Sequence, residues 1–194
     1  MRIVKLTVAA LALAAAACAD QDAPSDVSTD VNLAEDTAAN DVLGANMANA
    51  TASMPTDAAG FANAVAAADL YEVESARLAA DKAASADVKA FAEHIRADHE
   101  KSTAELKSAA GTAEITVAPK LDSEQQAMLD RLKAAGGAEF DRLFLEQQKT
   151  AHQKALALLQ GYSGSGDNEA LKAFAGKTAA AVKGHLDHAN SIKL

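Results

Sequence analysis

The chain has 194 residues and a net charge of −9, room for one ordinary domain with appendages. Its 27 acidic residues outnumber 18 basic ones, and no basic patch stands out, which argues against a nucleic-acid partner. Hydrophobic residues make up 49% but aromatics only 4%, with no tryptophan, so closely packed alanine- and leucine-rich helices are favoured over a sheet core.

The first eighteen residues read as a targeting segment. Arg2 and Lys5 give a positive start, and Leu6 to Ala17 form an apolar run too short to span a bilayer but of signal-peptide length. The run ends at Cys18, the only cysteine, which excludes a disulfide within the chain. Leu13-Ala14-Ala15-Ala16-Ala17-Cys18 resembles a bacterial lipobox, with Ala15 where leucine is commonest. Residues 1–18 are thus expected to be a lipoprotein signal peptide, with residues 1–17 removed and Cys18 acylated. The alternative is ordinary cleavage at a nearby small residue. Ala19, rather than aspartate, after the cysteine points to the outer membrane, facing the periplasm.

Residues 19–55 hold seven acidic residues, no basic one and no apolar periodicity. Such a segment buries too little apolar surface to offset its ordering entropy, so it is expected to be a disordered acidic tether between membrane and domain. The remaining 56–194 carries twenty acidic and sixteen basic residues.

In that domain Thr56 is the expected N-cap of a first long helix, Asp57 to about Ala83. Ser85 caps a second, which stops at Gly111. Asp122 or Ser123, with Gln125 or Gln126 three residues on, opens a short helix ended by Gly136-Gly137. A third long helix runs from about Ala138 to Gln160 and stops at Gly161; Gly164-Ser165-Gly166 reads as a turn, and Asp167 caps the fourth. The short connections make two antiparallel hairpins, and the long segment between them can span a ~38 Å helix. The expected fold is therefore all-α: a ferritin-like four-helix bundle of two hairpins joined by a long crossover. A plain up-and-down bundle is the alternative.

Polar residues interrupt the apolar faces. His99 falls between Ile95 and Ser102, His152 between Gln148 and Ala155, and His185 on the series Leu171, Thr178, His185, Ile192, with His188 one turn on. On the first helix Leu70 and Leu78 flank Glu74, while Glu72 follows Ala68, so either glutamate can face inward. Glu74, His99, His152 and His185 are the candidate metal ligands, and Glu72 and His188 are further candidates. Imidazoles and a carboxylate suit a single zinc, copper or iron ion. Asp98 and Asp141 are candidate acceptors that would orient a ring. Glu93, His94, Glu100 and Glu105 are expected on solvated faces. The rival reading is that each histidine is a satisfied, half-buried packing residue.

Tyr71-Glu72-Val73-Glu74, Val88-Lys89-Ala90-Phe91-Ala92 with Asp98-His99, Phe140-Asp141, His152, Phe174-Ala175 and His185 follow in an order and spacing that resembles the bacterial domain of unknown function 4142 family. The resemblance covers Phe61 to Ala189 and implies an exported protein with a ferritin-like fold; it implies no activity. Di-iron relatives of that fold place Glu-x-x-His on two helices, whereas Arg96 stands three before His99 and Val182 three before His185. Di-iron chemistry is therefore not expected, and no nucleophile motif or phosphate-binding loop suggests another reaction. Two functions stay open: an envelope protein, lipid-anchored, that handles one metal ion or acts in envelope stress, or a structural module that meets envelope protein partners without metal. The sequence says nothing of oligomeric state.

Overall fold

The computed structural model describes residues 54–194; the leader, Cys18 and nearly all of the tether lie outside it. Asp57, not Thr56, caps the first helix, its carboxylate accepting from the Gly60 amide at 2.7 Å. Helix α1 then spans Ala58–Lys82, α2 Ala86–Gly111, α3 Ser123–Ala134, α4 Gly137–Ser165 and α5 Glu169–Ser191. Ser85 caps α2, and Asp122 forms a reciprocal capping box with Gln125 at the start of α3. No strand occurs among the described residues, so the expected all-α class is observed.

α4 runs past Gly161, which was expected to stop it, and through Gly164, which was expected in the turn. The reason is Tyr162, buried with its ring stacked on Phe61 at 3.8 Å and its hydroxyl donating to Asp167 at 2.8 Å. Burying an aromatic of this size contributes more than the ~1 kcal/mol that a helical glycine costs. Asp167, thus engaged, does not cap α5; Asn168 does, accepting from the Leu171 amide at 3.0 Å.

Residue contacts give the directions of the four long helices. Phe61, at the start of α1, meets Tyr162 near the end of α4, while Tyr71 donates to Gln147 nearer its start, so α1 and α4 are antiparallel. Phe91, early in α2, meets His188, late in α5, and Glu105 pairs with Lys177, so α2 and α5 are antiparallel as well. α1 also packs on α2, and α4 on α5. It follows that α2 and α4 run the same way, and the segment between Gly111 and Gly137 must return along the length of the domain. It does so over α1 and α4, where Met128 and Leu129 of α3 pack on Tyr71.

The core has two apolar ends. One gathers Ala76, Ala79, Val88, Phe91, Ile95, Phe140 and Phe144; the other gathers Phe61, Val65, Leu106, Leu159, Tyr162, Leu171 and Phe174. Between them lies a layer of buried polar side chains: Asp69, Glu72, Ser75, His99, Gln148, His152 and His185.

Asp141 is buried, but at the apolar end rather than in that layer. Its two carboxylate oxygens accept from the amides of Ala84 and Ser85, at 3.1 and 2.8 Å, and fasten the α1–α2 turn to the first turn of α4. This corrects its expected place beside a metal-site ring: the carboxylate is committed to two amides that have no helical partner. Gly137, at φ 63° in the left-handed region, makes the sharp start of α4 that brings Asp141 there. Asp141→Ala is expected to cost about 2–3 kcal/mol in urea denaturation, because two partly buried donors lose their acceptor. Metal binding should be unchanged in that variant.

Candidate metal centre

Three of the four long helices each bring a histidine to the polar layer. His99 comes from α2, His152 from α4 and His185 from α5, and each is buried. In every case one ring nitrogen is tied down and the other is not. His99 Nδ1–H donates to Asp69 Oδ1 at 2.8 Å, and Asp69 Oδ2 is held in turn by the Thr103 hydroxyl at 3.1 Å. His152 Nδ1–H donates to the Gln148 carbonyl at 2.8 Å, and His185 Nε2–H to Asp98 Oδ2 at 2.9 Å. In the neutral rings these bonds set the tautomers and leave His99 Nε2, His152 Nε2 and His185 Nδ1 as the nitrogens free to bind an ion.

Those three nitrogens are buried with no hydrogen-bond partner in the protein, and the three histidines bring ligand nitrogens within 4.8 Å of one another. Buried polar atoms are almost always paired, so three orphaned acceptors in one layer need a reason. Around a tetrahedral ion at about 2.1 Å, ligand nitrogens sit roughly 3.4 Å apart, a contraction that small ring rotations supply. A cavity of about 20 Å³, lined by Asp69, Glu72, His99 and His152 among others, adjoins two of the three rings and leaves room for one atom.

Glu72 is the glutamate of this layer. Its carboxylate is buried, Oε1 lies 3.6 Å from His152 Nδ1, and Oε2 has no hydrogen-bond partner. Glu74 is not there: its side chain is 41% exposed and bonded to Arg77 at 2.7 Å. The expectation that placed Glu74 first is corrected because Leu70 and Leu78, which seemed to mark the core stripe, flank the groove beneath the crossover together with Glu74. The true inward stripe is Phe61, Val65, Asp69, Glu72, Ala76 and Ala79. Asp69 was missed, although it continues Phe61 and Val65 at four-residue spacing. Asp98 stands beside a site ring, but that of His185 rather than its neighbour His99. His188 is exposed, its ring 5.0 Å from Phe91.

Electrostatics agree with a site poised for a cation. Burial pushes the Glu72 carboxyl up to about 7, partly offset by His99. Burial pulls His99 down, but the Asp69 hydrogen bond and the Glu72 and Asp69 charges carry it above the usual imidazole range. Burial, with the neighbouring His99 charge, drives His152 down to about 3. His185 is likewise lowered by burial despite Asp98. For Asp98 burial acts upward, yet the His185 hydrogen bond holds it below the ordinary carboxylate range. Two rings are thus kept neutral, as ligands must be, while acidic side chains concentrate negative charge beside them.

An all-α domain with three inward imidazoles and a carboxylate is a candidate single-ion metal-binding protein rather than a di-iron one. The chain belongs to the family described as Domain of unknown function (DUF4142), whose model matches residues 43–192. Two solved structures of CopM are similar to it, one in the Ag-bound form obtained by co-crystallization and one in the Cu(II)-bound form. Their TM-scores are 0.57 and 0.60 at 18% identity, over 69% of this chain and 93% of each CopM chain. At that identity the likeness bears on the fold alone. No curated protein sequence matches.

Proposed function

We propose that this protein binds one transition-metal ion, copper or zinc, through His99 Nε2, His152 Nε2 and His185 Nδ1, with Glu72 as the charge-compensating carboxylate. The observation that carries the reading is that three buried histidines bring ligand nitrogens within 4.8 Å of one another and each keeps one ring nitrogen without a hydrogen-bond partner. Nitrogen and oxygen donors without a thiolate suit Cu(II) and Zn(II), and Cu(II) stands highest in the affinity order. The CopM structures, bound to silver and copper, support metal handling of this kind on a similar fold. The same proposal takes the helix arrangement as a ferritin-like bundle and places the domain at the outer membrane, facing the periplasm, on an acylated Cys18. Metal trafficking or sequestration in the cell envelope is the role that follows.

Tag-free protein, stripped with a chelator and titrated with Cu(II) and with Zn(II), tests it. One tight equivalent per chain is expected; no stoichiometric uptake of either ion refutes the reading. Asp69→Asn should keep the fold and the stoichiometry but weaken binding by 10–100-fold in competition titrations, because His99 loses the carboxylate that makes it a stronger donor. An unchanged affinity would show that Asp69 is only a packing partner.

A further inference from the structure

The chain has five histidines, and all five lie in one series of ring contacts. His188 is 6.5 Å from His94, His94 is 5.3 Å from His185, and His185 is 5.5 and 5.4 Å from His99 and His152, centre to centre. The first two are exposed, so the series runs from solvent to the buried centre. A second convergence of ligand atoms sits at its outer end: His94, Asp98 and His185 also fall within 4.8 Å of one another. His94 and Asp98 are one helical turn apart on α2, with His94 Nε2 3.7 Å from Asp98 Oδ2, and both are about half exposed. His185 belongs to both groups: its Nε2 bonds Asp98 on the outer side, and its Nδ1 is buried with no hydrogen-bond partner.

Resting on the metal-centre reading, we propose that His94, Asp98 and His185 Nε2, flanked by His188, form a surface site that captures a divalent transition-metal ion and passes it to the buried centre through the His185 ring. With the ion outside, Nε2 is the ligand and the ring proton sits on Nδ1, facing the lone pairs of His99 and His152. With the ion inside, Nδ1 is the ligand and the proton returns to Nε2, where Asp98 accepts it. The ring stays neutral in both states, so ion and proton exchange sides with no net charge change at His185. The other way in, a cavity of about 150 Å³ that reaches Glu72, is lined by Asp122, Glu124 and Lys154, the last two paired at 2.7 Å, and by no imidazole. An approaching transition-metal ion therefore meets imidazole nitrogens on the His94 side and carboxylates alone on the other.

Stopped-flow mixing of the metal-free full chain with Cu(II), followed by absorbance, tests the hand-off. H94A and H94A/H188A alter exposed side chains only, so the fold is safe. Loading is expected to slow about tenfold or more, with the final one-ion stoichiometry and the competition affinity unchanged. A loading rate equal to the parent's overturns the route and points to the cavity over Glu72. Zn(II)-induced shifts of the histidine ring nitrogen signals, which report direct ligation, separate this inference from the reading beneath it. Ligation shifts at His94 but never at His152 refute the buried centre and the transfer; shifts at His152 with none at His94 at any ratio refute the surface site.

Discussion

Saturating the metal-free protein with Cu(II) or Zn(II) is expected to raise its melting temperature by about 10–15 °C, and His152→Ala is expected to abolish the rise. An ion that binds only the folded chain stabilises it by about 4.1 kcal/mol when present at 1,000 times its dissociation constant. For a domain of this size each kilocalorie moves the midpoint by roughly 3–4 °C. His152 is the sharpest residue to remove, because it is 1% exposed and contributes nothing at the surface. The alanine variant itself melts lower, since a cavity opens and the Gln148 carbonyl loses its partner, so the comparison is between metal-free and metal-loaded forms of each variant. Differential scanning calorimetry with and without chelator reads both. A parent protein whose transition ignores the metal would leave the histidines as packing residues.

Glu72→Gln should act in opposite directions on the two forms. In the metal-free protein the carboxyl sits at about 7 against an ordinary 4.5, so the folded state holds a proton that the unfolded chain gives up. Its contribution to stability is complete below about pH 4.5 and is lost as pH rises through 7. At pH 8 the buried charge then costs up to ~3 kcal/mol, the worth of that displacement at 1.36 kcal/mol per unit. Glutamine carries no such charge, so the variant should be the more stable metal-free protein at pH 8 and nearly equal to the parent at pH 4.5. With metal the order reverses. The carboxylate offsets the ion's charge in a dry layer, and its loss should weaken binding by about tenfold or more. In the parent, affinity should climb between roughly pH 5 and 8, as protons leave Glu72 and His99 to make way for the ion. Urea denaturation at the two pH values, paired with competition titrations, checks all three statements. A metal-free variant less stable than the parent at pH 8 would refute the electrostatic account of Glu72.

What was readable in advance follows from how sharply each helix is patterned. His99 and His152 were placed because Ile95, Ser102, Gln148 and Ala155 frame them at clean three- and four-residue steps; His185 was placed by a seven-residue series. All three histidines face the same layer. α1 resisted the same treatment. It is apolar on two sides, one against the core and one beneath α3, so Leu70 and Leu78 mimic a core stripe while Asp69 and Glu72 occupy the real one. A helix that touches two layers has no single period to find. The end of α4 was hidden for another reason: the stacking of Tyr162 on Phe61 is a contact across 101 positions of sequence, and no local propensity reports it. The meeting of His94, His185 and His188 at one rim was equally invisible, since it depends on α2 and α5 running antiparallel at a particular register.

The donors are divided evenly between the two hairpins. α1 and α2 carry Glu72 and His99; α4 and α5 carry His152 and His185. Neither hairpin owns a complete grip. An ion bound by the three imidazoles beside Glu72, as proposed, would act as a rivet across the seam where α1 meets α4 and α2 meets α5. Its strength is that of the seam, and so is its release. Parting the hairpins would release such an ion in the same motion, without anything having to reach the histidines at all.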